Sequence, residues 1–247
     1  MAAGFSLRWK AFRVVKHGNA VEDYEDAGAG DIRSGRFAVA DGASEASFAG
    51  IWAKLLAERF VKDNGKPWRD LEWIAALRKQ WAAEVDGKPL PWYAEEKREL
   101  GAFATFLGLV FRPSAVGENG YWRAIAVGDC GLFQIRGGKL VQAFPMTRSA
   151  DFSNRPRLLR SRWRGADELD VDRERAHGRW QPQDRFLLMT DALAQWFLLR
   201  TEQRKDPLAE ISDLLSDNAD FSEWVTERRR QSLLRNDDVT LLVVDVD

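Results

Sequence analysis

The sequence has few of the residues that form disulfides or thiolate-rich and imidazole-rich metal sites. Its 247 residues include one cysteine, Cys130, and two histidines, His17 and His177. One cysteine excludes an internal disulfide and a zinc site built from several thiolates. Two histidines also argue against an imidazole-rich metal site. Cys130 has no adjacent cationic side chain to activate it, so we interpret it as a small buried residue and not as a nucleophile.

An excess of one charge and a long apolar run are also missing. Lys and Arg total 37 against 38 for Asp and Glu, so the net charge of −1 gives no general attraction to nucleic acid or membrane. The longest apolar run, residues 101–111, is far shorter than the roughly 20 residues of a membrane helix. Residues 1–10 lack the apolar core of a signal peptide. These absences predict a cytoplasmic protein.

Apolar residues are abundant, at 45% of the chain, which is enough for a sizeable core. Neither a repeat nor a low-complexity linker divides the chain, so we expect one domain over residues 1–247. Alternating or wholly apolar segments predict strands at 7–16, 36–40, 102–111, 121–127, 132–136, 139–144, 185–190 and 239–246. Helical spacing predicts helices at 47–62, 69–85, 95–99, 192–200, 206–216 and 219–234.

Most of these strands connect through tight turns, which predicts largely antiparallel sheets covered by helices, an α+β fold. Gly28, Gly30 and Gly35 predict a turn before the strand at 36–40. Residues 145–183 show little periodicity and contain nine arginines, so we expect an irregular, flap-like insertion there. Such a segment is usually solvated surface, and a phosphopeptide or nucleic-acid contact is the less favoured interpretation.

Aspartates stand at the ends of three of the predicted strands. Asp41 and Gly42 end one apolar strand, Asp191 follows another, and Asp237 and Asp238 precede the last. Singly, each has a simpler explanation as a hairpin turn, a helix N-cap or a turn into a strand. Together they supply the oxygen ligands that Mg²⁺ and Mn²⁺ prefer. The set therefore predicts a site for a hard divalent metal.

Five short segments extend this pattern over most of the chain. They are Glu25-Asp26-Ala27, Phe37 to Gly42, Gly101 to Phe106 with Ala126 to Asp129, Asp184 to Asp191, and Asn236 to Thr240. In order and spacing they resemble the metal-dependent serine/threonine protein phosphatase family of the type 2C class. The resemblance implies a four-layer αββα sandwich, with two mainly antiparallel sheets flanked by helices and two Mg²⁺ or Mn²⁺ ions at one end between the sheets.

The resemblance also implies roles for single residues in metal binding. Asp41 would bridge the two ions, and the Gly42 carbonyl would ligate one of them. Asp191 and Asp237 would complete the other coordination sphere. Asp129 would help to hold a weaker third ion.

Catalysis would involve Glu25, Asp26 and Asp41, with the first two orienting water at the ions. The Glu22-Asp23 pair is a rival for this acidic motif, but a small residue, Ala27, follows Glu25 and Asp26, as it tends to in the family. Asp238 stands where the family often has Asn, so it ranks behind Asp237 as a ligand. The implied reaction is hydrolysis of phosphoserine or phosphothreonine in a phosphoprotein by metal-activated water. A cognate protein kinase is a further candidate partner.

The sequence departs from the family where phosphate is usually gripped. Val21 stands four residues before Glu25, where many members have an arginine, and Ala192 replaces the glycine that usually follows the later aspartate. Lys16, His17 or an arginine from 148–164 could take over the arginine's role. The alternative hypothesis is a catalytically inactive module that binds a phosphorylated partner.

Overall fold

The computed structural model describes residues 6–43, 48–62, 72–87, 98–114, 119–153, 155–162, 173–216 and 218–247. The strands in these ranges are β1 Leu7–Val14, β2 Ala27–Asp31, β3 Arg36–Gly42, β4 Phe103–Pro113, β5 Gly120–Val127, β6 Gly131–Arg136, β7 Lys139–Phe144, β8 Leu159–Arg160, β9 Glu174–Trp180, β10 Arg185–Met189 and β11 Val239–Val246. The α-helices are α1 Ala49–Lys62, α2 Glu72–Val85, α3 Asp191–Glu202, α4 Pro207–Ser212 and α5 Asn218–Arg230. Single 3₁₀ turns occupy Val21–Asp23, Ser149–Asp151 and Asp213–Ser216.

The strands form two antiparallel sheets. One has the order β1-β11-β10-β6-β7, and the other has the order β2-β3-β4-β5-β9, with β8 paired to β4. The chain's two ends meet in the first sheet, where Leu7 lies opposite Val246 and Val14 opposite Val239. In the second sheet β3 pairs with β4 so that Asp41 lies opposite Thr105.

The two sheets pack face to face through an aromatic and aliphatic core. Phe111 of one sheet meets Phe186 of the other at 4.8 Å between ring centroids, with the rings nearly perpendicular. Phe37 and Val39 of β3 point into this layer, whereas Ala38 and Ala40 face the helices. Because both faces of β3 are buried, its sequence is a continuous apolar run.

Helices cover part of the outer face of each sheet. α1 packs on β2, β3 and β4 and contacts α2, and its residues Trp52, Leu56 and Phe60 share a buried cluster with those strands. α3, α4 and α5 form a second buried cluster with the other sheet. The layering is therefore αββα, as predicted. None of the described helices is both long enough and apolar enough to cross a membrane.

Two predictions about local structure were wrong. The glycines at 28 and 30 lie in strand β2 and not in a turn, because the strand packs too closely for larger side chains. A Cβ on Gly30 would lie 2.6 Å from the Phe37 ring, and one on Gly28 would lie 3.0 Å from a Leu242 methyl group. The supposedly irregular stretch 145–183 contains β9, a seven-residue strand paired with β5 from Gly120 to Ala126.

Several boundaries also shift. The first strand ends at Val14 and not at residue 16, and the last long helix ends at Arg230 and not at residue 234. The helix predicted over 206–216 is α4 followed by a 3₁₀ turn. The first residues of the predicted helix 69–85 and most of the one at 95–99 lie outside the described residues.

Candidate active site

Asp41 lies at the end of β3, where the strand meets the loop before β2 and the start of α1. The following residue, Gly42, allows this meeting. A Cβ there would lie 2.7 Å from the Glu25 carbonyl oxygen and 3.0 Å from the Ala49 Cβ. Only glycine fits so close an approach of backbone to backbone. The glycine therefore fixes the position of the Asp41 carboxylate relative to Glu25.

Asp26 is buried directly before β2 and is held by two threonines. Its Oδ2 accepts hydrogen bonds from Thr190 Oγ1 and Thr240 Oγ1, each at 2.9 Å. Thr190 directly follows β10 and Thr240 lies in β11, so Asp26 connects the ends of two strands of the opposite sheet. Its Oδ1 is buried without a hydrogen-bond partner among the described residues.

Asp238 has a structural role beside this centre. One carboxylate oxygen accepts from the Lys16 backbone N–H and the other from the Glu25 backbone N–H, both at 2.7 Å. It thereby fixes the loop that carries Glu25. By contrast, Glu22 and Asp23 are exposed in a 3₁₀ turn, where Asp23 accepts a hydrogen bond from the Ala20 backbone at 3.0 Å. Of the two rival acidic pairs, Glu25 and Asp26 is the one beside Asp41.

Asp129 follows β5 in a tight turn. Gly128 has a positive φ of 90°, and a Cβ there would lie 2.6 Å from a Thr105 methyl group and 2.7 Å from the Arg157 carbonyl oxygen. The turn leaves Asp129 buried at 2% exposure, with its Oδ1 unpartnered among the described residues. Burial, and then the nearby charge of Asp191, raise the Asp129 pKa to about 7.

Asp191 and Asp237 share a cation, Arg235. Asp191 lies in the first turn of α3, and its Oδ2 forms a short ion pair with Arg235 Nη2. Arg235 Nε lies 3.8 Å from an Asp237 oxygen, and Lys16 Nζ lies 4.0 Å from the other. Burial raises the Asp191 pKa, and the positive charge of Arg235 opposes that increase. Sequence reasoning missed Arg235.

The electrostatics show which predicted residues come together. Burial is the main cause that raises the Asp41 pKa well above its usual value, and the next causes are the charges of four other aspartates. These are Asp26, Asp191, Asp237 and Asp129. Five carboxylates from separate parts of the chain therefore share one end of the sandwich and repel one another.

Such a cluster suits a divalent cation. Three of its buried carboxylate oxygens, one each on Asp26, Asp129 and Asp191, have no hydrogen-bond partner within the described ranges. Unpartnered buried anionic oxygens are costly unless they are protonated or paired with a cation. At the same time, no three His, Cys, Asp or Glu side chains of the described residues already converge as a metal site. A bound ion could use the unpartnered Asp191 Oδ1, while Arg235 holds Oδ2 and competes for the same carboxylate charge.

Other residues that sequence reasoning missed support the carboxylates from behind. The Tyr24 hydroxyl donates to the Val239 carbonyl at 3.1 Å and contacts Thr240 Oγ1. Thr190 Oγ1 also accepts from the Thr240 backbone N–H at 2.9 Å. A threonine near the end of each of the predicted strands 185–190 and 239–246 was the available signal. Cys130 is buried as predicted, and burial raises the pKa of its thiol.

The family description "Protein phosphatase 2C" matches residues 16–237 of the 247. The chain therefore belongs to the protein phosphatase 2C family, whose members are phosphatases for serine and threonine. No curated protein sequence matches it significantly.

Solved structures show the same fold. PppA from Pseudomonas aeruginosa, described as a key regulatory component of T6SS, has 23% identity and a TM-score of 0.54, with 98% of each chain covered. The Mycobacterium tuberculosis serine/threonine phosphatase PstP/Ppp has 19% identity and a TM-score of 0.57, with 98% of this chain and 99% of that one covered. A catalytic domain of PstP in complex with two manganese ions has 19% identity and a TM-score of 0.55 at the same coverage.

Proposed function

We propose that the protein is a Mg²⁺- or Mn²⁺-dependent phosphatase that hydrolyses phosphoserine or phosphothreonine in proteins. The main support is a set of buried carboxylate oxygens on Asp26, Asp129 and Asp191, which lie beside Asp41. These oxygens have no hydrogen-bond partner among the described residues. They belong to a chain of the protein phosphatase 2C family. Two ions, and a weaker third, are the expected occupancy.

Different residues of the chain would bind the ions and position the water. Asp41, the Gly42 carbonyl, Asp191 and Asp237 would hold two ions, and Asp129 a third. When bound, the ions supply activation of water and neutralisation of the phosphoryl charge. Thr190 and Thr240 hold one oxygen of Asp26, and the other would accept a proton from water. The Asp238 contact to the Glu25 backbone keeps that loop beside the reaction centre.

The Asp41→Asn variant tests this function. Turnover of an aryl phosphate and of phosphoserine peptides is measured with Mn²⁺, with and without chelator. We expect Asp41→Asn and chelation each to lower the rate by more than about a hundredfold, since even groups behind metal ligands contribute 10- to 100-fold. Glu22→Gln, in the exposed rival motif, is the matched control and should keep the wild-type rate. Equal rates for wild type and Asp41→Asn would refute the proposal.

A second candidate function is supported by the ion pair between Arg235 and Asp191. If the guanidinium permanently replaces a cation, the chain is an inactive module that recognises a phosphorylated partner. Titration calorimetry with Mn²⁺ separates the two functions. Binding of two or more ions, abolished by Asp191→Asn, supports the phosphatase. Absence of both metal binding and turnover supports the module.

A further inference from the structure

The outer face of β5 and β9 is basic and is not covered by the described helices in the way that β2, β3 and β4 are. On β5, Trp122 and Ala124 point into the core between the sheets, so Tyr121 and Arg123 point outwards. On β9, Trp180 is buried in the same core, so Arg175, His177 and Arg179 point outwards, and all three are exposed. We call these five residues the basic strip.

The pairing of β5 with β9 determines the order of charges along the basic strip. Tyr121 lies opposite Arg179, Arg123 opposite His177, and Ile125 opposite Arg175. The Arg179 guanidinium lies over the Tyr121 ring at 5.5 Å from its centroid. Three guanidiniums thus occupy neighbouring positions of one face, with Arg123 diagonal to both Arg175 and Arg179. A cavity of about 400 Å³ lies over this face.

The basic strip runs towards the acidic centre. Ile125, opposite Arg175, precedes Asp129 by four residues, and Tyr121, opposite Arg179, precedes it by eight. Because β5 ends at Val127 and Gly128 turns the chain, a rise of about 3.4 Å per residue puts these positions at most about 14 and 27 Å from Asp129. An extended peptide has nearly the same rise. Ile125 and Val127 of the same face are buried in the cluster of α1 and α2, so a peptide would reach the strip along β9, whose first residue, Glu174, lines one pocket with Asp129. With one residue at Asp129, residues up to about four to eight positions away would lie against the arginines.

We propose that the basic strip binds an acidic segment of the phosphoprotein substrate, four to eight residues from the phosphorylated residue. This inference rests on the proposed phosphatase function and adds a substrate class to it. Guanidiniums form bidentate pairs with carboxylates, and such complementarity selects partners. The partner is protein and not nucleic acid, because the strip is only one strand pair wide, continues to the candidate active site, and belongs to a chain of net charge −1.

The test measures peptide binding by fluorescence anisotropy in chelator, so that it does not depend on turnover. One labelled phosphoserine peptide carries Asp and Glu four to eight residues from the phosphoserine, on either side in separate probes, and a second carries Gln and Asn there. We expect the better acidic probe to bind about tenfold more tightly than the neutral one, as two or three exposed ion pairs allow. The preference should fall as salt rises.

The double variant Arg123→Glu with Arg179→Glu should lose this preference. Lys139→Glu with Lys205→Glu changes the charge equally at exposed positions outside the strip and should keep it. If this charge reversal impairs folding, the double variant Arg123→Gln with Arg179→Gln, which only removes the two charges, replaces it. An unchanged preference in a folded strip variant would overturn the proposal. So would a single-stranded DNA oligomer that displaces the acidic probe at lower concentration than unlabelled peptide does.

Failure of this inference differs from failure of the proposed function. If the preference for the acidic probe is found but Mn²⁺ supports no turnover, the strip stands and the phosphatase assignment fails. If aryl phosphate is hydrolysed by the wild type and the strip variant alike, and the acidic preference is missing, the phosphatase stands and the strip fails.

Discussion

Arg235 is the residue on which the behaviour of the acidic centre most depends. Its guanidinium pairs with Asp191 and lies near Asp237, yet 38% of its side chain is exposed. It follows α5 in the segment that leads to β11, and the Asp237 backbone N–H bonds back to its carbonyl at 3.1 Å. A protein cation and a divalent ion therefore compete for one carboxylate.

We predict that Arg235→Gln raises the affinity for Mn²⁺, because the guanidinium no longer competes with the ion for the Asp191 carboxylate. A partly exposed pair contributes up to about 1 kcal/mol, so the gain should be about fivefold. Calorimetry in the absence of substrate measures it. Arg230→Gln, which breaks an exposed pair with Glu227, is the control. Equal or weaker Mn²⁺ binding by Arg235→Gln would show that Arg235 does not compete with the ion.

At the scale of elements, the site depends on how closely α1 approaches the second sheet. Gly108 in β4 faces Phe60 of α1, and a Cβ there would lie 2.5 Å from the ring. Phe60 is fully buried, and Arg36 donates to its carbonyl at 2.9 Å. The ring has little room to move, so the backbone of β4 supports the helix directly.

Gly108→Ala should accordingly destabilise the fold. Overpacking a close-packed core typically costs 1–3 kcal/mol, and we expect about 2 kcal/mol in urea unfolding. Gly87→Ala is the matched control, because a Cβ at Gly87 would meet nothing within 4 Å. If both variants unfold at the same urea concentration, the tight packing of α1 on β4 is not a source of stability.

The same packing explains which elements could be predicted from the sequence. Strands buried on both faces, such as β3 and β11, have continuous apolar runs and were predicted nearly to the residue. β2 was missed because glycine in a single sequence usually indicates a turn. In β2 the glycines instead leave room for the side chains of Phe37 and Leu242. β9 was missed because it is at the edge of its sheet and exposes Arg175, His177 and Arg179, which made it look like solvated loop.

The site residues that could be predicted from the sequence are those at the ends of predicted strands. Asp41 and Asp191 follow apolar strands, so the pattern of residues alone was enough to expect that they gather. The roles of Thr190, Thr240 and Arg235 could not be expected, since their contacts to Asp26 and Asp191 join positions 164, 214 and 44 residues apart. The packing of the two sheets, with the loops at their ends, creates those contacts.

At the scale of the whole molecule, the two sheets bring five like charges to one end of the core. Folding therefore takes carboxylates that are apart and hydrated in the unfolded chain and brings them together, with Asp26, Asp129 and Asp191 buried. Burial and mutual repulsion raise the pKa values of Asp26, Asp41, Asp129 and Asp191. The metal-free folded chain thus binds more protons than the unfolded chain does between their ordinary pKa values and their raised ones.

This difference fixes the sign of a pH dependence. Where the folded state holds more protons, stability falls as pH rises. The contribution of Asp129 is fully present below its usual pKa near 3.8 and is lost as pH passes its folded value of about 7. In chelator, the free energy of unfolding in urea should therefore be lower at pH 8 than at pH 5.5. Asp129→Asn, which removes one of the titrating groups, should reduce that difference.

Mn²⁺ should offset the loss of stability at high pH, because it binds the deprotonated carboxylates of the folded state only. At pH 8 a concentration 100 times its dissociation constant should restore about 2.7 kcal/mol, while at pH 5.5 protons compete and the gain should be smaller. Urea unfolding with and without Mn²⁺ at both pH values measures this. Metal-free stability that rises from pH 5.5 to 8 would mean that repulsion among the buried carboxylates does not limit the fold.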